Sequence, residues 1–230
     1  GGKLLGSSYN KGVLSFDENK SNFISANKGL YSAVVYNLAL GTDFLWAACG
    51  NGVFGFNLKT FNWLDNQNLP IPKWQYSRIA ISSSAYVAGS EQYDSKLYLS
   101  KNQGLSWDTL FPFKNTMFGN AISQIYWLND VLIIKGIDYP DVRSENLGKT
   151  WISDQYPEDI VAFKNKFIGL DKTQNVLKAS MDFGKSWKNL NAPGFTLFNL
   201  FATEDRLFLI GIENQHSSLY YSDDGENWIY

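Results

Sequence analysis

The feature that most constrains this chain is a short motif that recurs along it. "SKNQGLSW" (100–107), "SENLGKTW" (144–151) and "SMDFGKSW" (180–187) share Ser-x-Asp/Asn-x-Gly-x-x-Trp. "SDDGENW" (222–228) keeps the Gly-to-Trp spacing with one residue fewer between Ser and Gly. Decayed copies stand at "FNLKTFNW" (56–63) and, more faintly, at "SFDENKSN" (15–22). Trp63, Trp107, Trp151, Trp187 and Trp228 follow one another at intervals of 44, 44, 36 and 41 residues. A repeat of that length is one supersecondary unit that cannot bury its apolar face alone, so successive units must stack on one another.

The residues between copies read as strands. Before the third copy come "DIVAFKN", "KFIGLDKT" and "NVLKAS", short β-rich runs punctuated by Lys, Asn, Asp or Gly, and "SWKNL" follows it. The same order fits "QYSRIAIS", "AYVAGSEQ", "SKLYLS" and "SWDTLF", and again the residues around the second and fourth copies. No window carries a sustained helical period with caps. Four short strands in about forty residues are the length of one β-propeller blade.

The motif suits a turn between two of those strands. An Asp or Asn oxygen can accept nearby backbone N–H groups, Gly supplies a positive φ, and Trp opens the next strand by packing on a neighbour. Its residues are Ser100, Asn102, Gly104 and Trp107; Ser144, Asn146, Gly148 and Trp151; Ser180, Asp182, Gly184 and Trp187; and Ser222, Asp223, Gly225 and Trp228. Asn in two copies is compatible with turn bonding but not with carboxylate catalysis.

On these residues the chain resembles the Asp-box, or BNR, repeat family of β-propellers, which includes sialidases, some glycoside hydrolases, sortilin-type receptors and photosystem assembly factors. The resemblance implies that each box is the hairpin between the third and fourth strands of a blade. A shorter stretch, "DFLWAACGNGVFGFNLKTFNW" (43–63), is also similar to the repeats of sensor propellers in bacterial two-component regulators.

The expected fold is therefore an all-β propeller of four-stranded antiparallel blades in a single domain, 1–230. Six blades are expected, at roughly 3–27 (lacking its innermost strand), 31–66, 75–111, 122–155, 159–191 and 197–230, with five or seven as alternatives. A terminus usually completes the ring, yet nothing follows Tyr230, so either the natural chain is longer or closure is unusual.

Composition narrows the function. A net charge of −2 and scattered lysines give no electrostatic footprint for nucleic acid. The longest apolar runs, such as "VLII" (131–134) and "RLFLIGI" (206–212), are too short for a membrane-spanning helix, so no membrane insertion is expected. Cys49 is the only cysteine and sits among apolar residues, which reads as a buried thiol and excludes an intrachain disulfide. His216 is the only histidine. No metal and no cofactor are expected. Abundant asparagine (22) beside three arginines has a bacterial look.

With strands in this order, the box hairpins occupy one face, and the loops joining second to third strands occupy the other. In related propellers that second face carries the ligand. Here those loops supply Glu91, Tyr93 and Asp94; Asp138, Tyr139 and Asp141; Asp171; and His216. The blade-to-blade loops add Trp74, Phe113 and Phe118. Aromatic faces beside carboxylates and amides suit sugar rings or extended peptides. Each residue also has a plain structural reading, as groove filler or solvated loop charge.

Sialidases hold a substrate carboxylate with three arginines, and this chain has Arg78, Arg143 and Arg206. Arg143 falls on a third strand beside its box and Arg206 at the start of a second strand on the box face, away from a common pocket. The reading is a non-enzymatic recognition domain of an exported bacterial protein (secreted, periplasmic or at the cell surface), with a glycan or protein segment as partner. The alternatives are a sialidase-like or xyloglucanase-like glycoside hydrolase with paired carboxylates, and a structural scaffold beside other domains of a longer chain.

Overall fold

The computed structural model describes residues 5–8, 10–17, 19–30, 34–64, 76–82, 85–90, 96–113, 122–128, 130–137, 140–213 and 215–230. Among them there is no helix, and 22 strands form six antiparallel sheets. The first sheet holds β1 (Leu5–Ser8), β2 (Gly12–Asp17) and β3 (Asn22–Ser25), and the second β4 (Val35–Leu40), β5 (Phe44–Cys49), β6 (Gly52–Asn57) and β7 (Asn62–Trp63). The third holds β8 (Tyr76–Ile81), β9 (Tyr86–Ser90), β10 (Leu97–Ser100) and β11 (Asp108–Leu110). The fourth holds β12 (Ile122–Leu128), β13 (Val131–Gly136), β14 (Asp141–Ser144) and β15 (Ile152–Asp154). The fifth holds β16 (Asp159–Phe163), β17 (Lys166–Asp171), β18 (Val176–Ser180) and β19 (Lys188–Leu190), and the sixth β20 (Thr196–Ala202), β21 (Leu207–Glu213) and β22 (His216–Ser222). Strand order within every sheet follows the chain, and the sheets are the blades of a six-bladed β-propeller.

The two incomplete sheets are informative in their registers. The β1–β2 hairpin closes at Ser8↔Gly12 and the β5–β6 hairpin at Cys49↔Gly52, with both glycines at positive φ (72° and 146°), so β1 corresponds to a second strand. In the last blade "NWIY" forms no full fourth strand. It is reduced to one bridge, Tyr221↔Ile229, with two backbone bonds of 2.8 Å.

Apolar residues collect between blades rather than within one. Trp46, Ala48, Ile79 and Ala88 pack between the second and third sheets; Val87, Leu97, Ile122 and Leu132 between the third and fourth. Ile133 meets Ile160 and Phe167 between the fourth and fifth, and Leu170 meets Leu197 and Leu209 between the fifth and sixth. Second strands are covered on both faces, which is why "LWAAC" and "VLII" run without polar alternation and are buried throughout. Fourth strands lie outermost; all three residues of β15 are exposed. Phe113, expected in a ligand-facing loop, is instead buried in the core between the third and fourth blades, because an apolar ring gains more by filling that gap than by facing water.

Four of the five inner strands β4, β8, β12, β16 and β20 carry a β-bulge near their start, at Val35/Asn37, Tyr76/Arg78, Ile122/Gln124 and Leu197/Asn199. A bulge re-aims the following side chain. Each time that side chain is polar.

Candidate functional site

The octapeptides form turns with one repeated hydrogen-bond pattern. A buried serine hydroxyl accepts the glycine N–H at 2.8 Å (Ser100/Gly104), 2.8 Å (Ser144/Gly148) and 2.7 Å (Ser180/Gly184). The same hydroxyl donates to Asn102 Oδ1, Asn146 Oδ1 or Asp182 Oδ1 at 2.8–3.0 Å. That oxygen in turn accepts the N–H of Ser106, Thr150 or Ser186 at 2.8–2.9 Å. Hydrogen bonds from Ser186 Oγ and N, working against slight burial, hold the Asp182 carboxyl down at about 2. The buried serine hydroxyl, the Asx oxygen and the glycine N–H thus bond to one another inside the turn, whereas the indole N–H groups of Trp187 and Trp228 are buried without a hydrogen-bond partner among the described residues.

The fourth copy corrects one sequence assignment. Asp224, not Asp223, closes the turn: its Oδ1 accepts from Ser222 Oγ (3.0 Å) and from the N–H of Glu226 and Asn227 (2.8 Å each). The residue two after the serine keeps its place in every copy, so the missing residue lies between carboxylate and glycine. Asp223 points elsewhere and pairs with Arg206 Nε at 2.7 Å.

The hairpins also bind neighbouring blades. Glu145, beside the turn of the fourth blade, pairs with buried Arg143 of its own blade and with Lys185 of the next blade's turn at 2.8 Å. Lys166 Nζ of the fifth blade donates to Asp224 O at 3.1 Å.

On the opposite face, Asp141 and Asp171 are described and each is neutralised. Lys135 Nζ lies 2.8 Å from Asp141 Oδ2 and also donates to Tyr156 O and Pro157 O, tying the fourth blade to the segment that enters the fifth. Lys178 Nζ lies 2.7 Å from Asp171 Oδ2, while Asp171 Oδ1 accepts Gln174 N–H. Burial works against the charge on Asp171, but Lys178, Gln174 and the nearby Lys135 outweigh it and lower its pKa. Glu158 accepts from the N–H groups of Lys172 and Thr173 and from Thr173 Oγ1, which overcomes its own burial and lowers its pKa as well. Asp159 pairs with Lys172 at 2.7 Å. Asn175 then hooks the loop to the sixth blade, accepting Leu197 N–H at 2.7 Å and donating to Phe195 O at 3.0 Å.

His216 is exposed and opens β22 opposite Glu213. Trp74, Glu91, Tyr93, Asp94, Phe118, Asp138 and Tyr139 lie outside the described residues. Among the described residues no three of His, Cys, Asp and Glu gather as metal ligands.

Polar groups that the sequence reading missed sit on the bulged inner strands. Asn37 Oδ1 accepts Ile79 N–H at 3.1 Å, and Arg78 Nε donates to Ser123 O and to Gln124 Oε1. Each reaches across to the inner strand of the next blade. Tyr126 Oη donates to Glu158 O at 3.2 Å, and its pKa is raised by burial and by Asp159. A polar residue near the start of an apolar inner strand, as at Asn37, Arg78, Gln124 and Asn199, is the signal that could have found this belt. The three arginines are separately engaged: Arg78 with the next inner strand, Arg143 with Glu145, and Arg206 with Asp223 and the Tyr221 ring, 4.4 Å away.

A fold of stacked four-stranded blades with clamped third-to-fourth-strand turns defines the class as a β-propeller. No family model matches the chain, and no curated protein matches it in sequence. Solved structures do. A GH74 enzyme of Niastella koreensis superposes with a TM-score of 0.67 at 15% identity over 99% of this chain and 35% of that one. The extracellular domain assigned to a hybrid two-component system of B. thetaiotaomicron gives 0.64 at 13% identity over 94% of this chain and 31% of its own. YCF48 bound to the D1 peptide gives 0.59 at 14% identity over 85% of this chain and 66% of its own. The chain thus spans about a third of the first two and two thirds of the last. At these identities the likeness is one of fold.

Proposed function

We propose that this propeller is a non-enzymatic recognition domain of the Asp-box type, which binds a glycan or an extended protein segment on the face opposite its clamped hairpins. The observation that carries this reading is the pairing of carboxylates with lysines on that face: Asp141 with Lys135, Asp171 with Lys178 and Asp159 with Lys172, at 2.8, 2.7 and 2.7 Å. A glycosidase needs one acid with a raised pKa facing one free carboxylate. Here Asp171 and Glu158 are lowered instead. Fixed charges of alternating sign and the amides of Asn37 and Gln124 offer directional partners to a polymer, and among the described residues of that face neither Asp171 nor Glu158 has the raised pKa of a proton donor for bond cleavage. Support for a peptide ligand comes from the likeness to YCF48, solved with a peptide, and support for an exported location from the likeness to an extracellular domain.

The test is to screen the chain against glycan and peptide arrays, then to incubate any bound glycan with it and analyse for hydrolysis. Binding without turnover is expected. Turnover that disappears in Asp141→Asn or Asp171→Asn would replace this reading with a glycoside hydrolase.

A further inference from the structure

A cleft of about 790 Å³ opens between the first two sheets, away from the ion-paired face described above. Its walls are apolar, built from Leu5, Ile24, Leu38, Leu40, Leu45 and Phe61. Ser15, Ser25 and Asn62 add neutral polar groups, and Lys28 is the only charged residue in the lining.

Between later blades the box turn fills part of the equivalent gap, and the cleft that remains between the second and third blades is smaller, about 520 Å³, and lined by Thr42, Ser82, Lys101 and Gln103 as well as apolar residues. The turn glycines of the third to sixth blades fold down onto the preceding sheet, Gly104 against Trp46, Gly148 against Leu110, Gly184 against Ile133 and Gly225 near Ile168. The hairpin of the second blade cannot do this. Thr60 stands where the others have glycine, and the turn is closed by Asn57 Oδ1, which accepts the N–H of Lys59 and Thr60 at 2.9 Å each. Phe61 takes the positive φ instead (56°) and is 49% exposed, while Leu40 is 68% exposed.

We propose that this cleft is a binding site for an amphipathic monocarboxylate, an aliphatic body with one anionic head, its carboxylate held by Lys28. The volume lies within the roughly 300–1,000 Å³ range of small-ligand sites, and apolar walls with few polar groups are their usual make-up. Charge selects the head group. Lys20 and Lys59 on the same two blades are paired with Asp17 and Asp43, at 3.5 and 2.7 Å, whereas exposed Lys28 has no ion-pair partner among the described residues. One compact cation matches one negative charge, and Ser25 and Asn62 can donate to the second carboxylate oxygen.

The experiment is isothermal titration of the chain with dodecanoate below its micelle threshold, with dodecanol and dodecyltrimethylammonium as probes of the same length. One-to-one binding of dodecanoate is expected. Ser25→Trp, at an exposed β3 position, should fill the cleft and abolish it. Lys28→Glu should weaken dodecanoate by up to roughly fivefold through loss of an exposed ion pair, with like-charge repulsion acting in the same direction, and leave dodecanol unchanged. Thermal unfolding checks that each variant folds, and Leu40→Asp serves if Ser25→Trp does not. Absence of dodecanoate binding, equal binding by the cleft-filled variant, tighter binding of the ammonium probe, or capture only of an acidic apolar peptide would each overturn the proposal.

Discussion

Replacing Gly104 by alanine tests whether the hairpins hold one blade to the next. Gly104 sits at φ 87°, a left-handed conformation that costs an L-residue about 1–2 kcal/mol. Its added Cβ would also overlap the indole of Trp46 on the preceding blade. That ring cannot yield: it is fully buried, with Tyr86 and Trp107 at centroid distances of 5.6 and 6.3 Å. Overpacking of this kind costs about 1–3 kcal/mol. Together the two effects predict a loss of roughly 2–5 kcal/mol, and at about 2–4 °C per kcal/mol for a chain of this size, a melting temperature lower by about 4–20 °C. Gly194→Ala is the control, because nothing lies within 4 Å of the methyl it would add, and it should change stability by no more than about 0.5 kcal/mol. Gly225→Ala should fall between them, since its tightest Cβ contact is the side-chain end of Leu207 at 3.2 Å, with Lys166 and Ile168 at ordinary contact distance. Thermal unfolding followed by tryptophan fluorescence reads all three. If Gly104→Ala melts with the parent chain, the hairpin does not lock the blades and the packing argument fails.

Four further outcomes follow from the same geometry. Ser180→Ala strands the buried Gly184 N–H and should cost about 1–3 kcal/mol by urea denaturation, against less than half that for exposed Ser186→Ala. Because folding lowers the Asp182 pKa to about 2, its contribution is complete above the unfolded value of about 3.9 and is lost as pH falls from there toward 2. Asp182→Asn should therefore lose less stability than the parent between pH 4 and pH 2. Asp141→Ala leaves Lys135, whose side chain is 14% exposed, without its anion and should cost about 3–5 kcal/mol, much of it recovered by adding Lys135→Met. Burial pushes the Cys49 thiol up to about 12, so Ellman's reagent at pH 8 should leave it unmodified until denaturant is added.

Much of the architecture is legible in the chain because its signals are local. Ser, Asx, Gly and Trp act within eight residues of one another, and the hydrogen bonds that make the turn join those same residues. The last copy misleads at Asp223 for an equally local reason: two adjacent aspartates are ambiguous when aligned on glycine, whereas alignment on serine selects Asp224. What escapes the sequence lies between blades. Lys135 and Asp141 are only six residues apart, but the two carbonyls that share the ammonium belong to Tyr156 and Pro157, and nothing in the spacing marks that meeting. The inner-strand bulges are hidden in the same way, since Arg78 acquires its role only when Ser123 and Gln124 arrive from another blade.

The two faces of the propeller solve different problems. On the hairpin face the four box turns bond serine, Asx and glycine to one another and press that glycine, or an ion pair such as Glu145–Lys185, onto the neighbouring blade, so substitutions there are paid for in stability. On the other face Asp171, Glu158 and Asn175 hold one loop by side-chain bonds to its backbone and to the next blade. The hairpin at Thr60 and Phe61 lacks the glycine that presses down in the four box turns, and beside it Phe61 and Leu40 stay partly uncovered along the wall of the cleft.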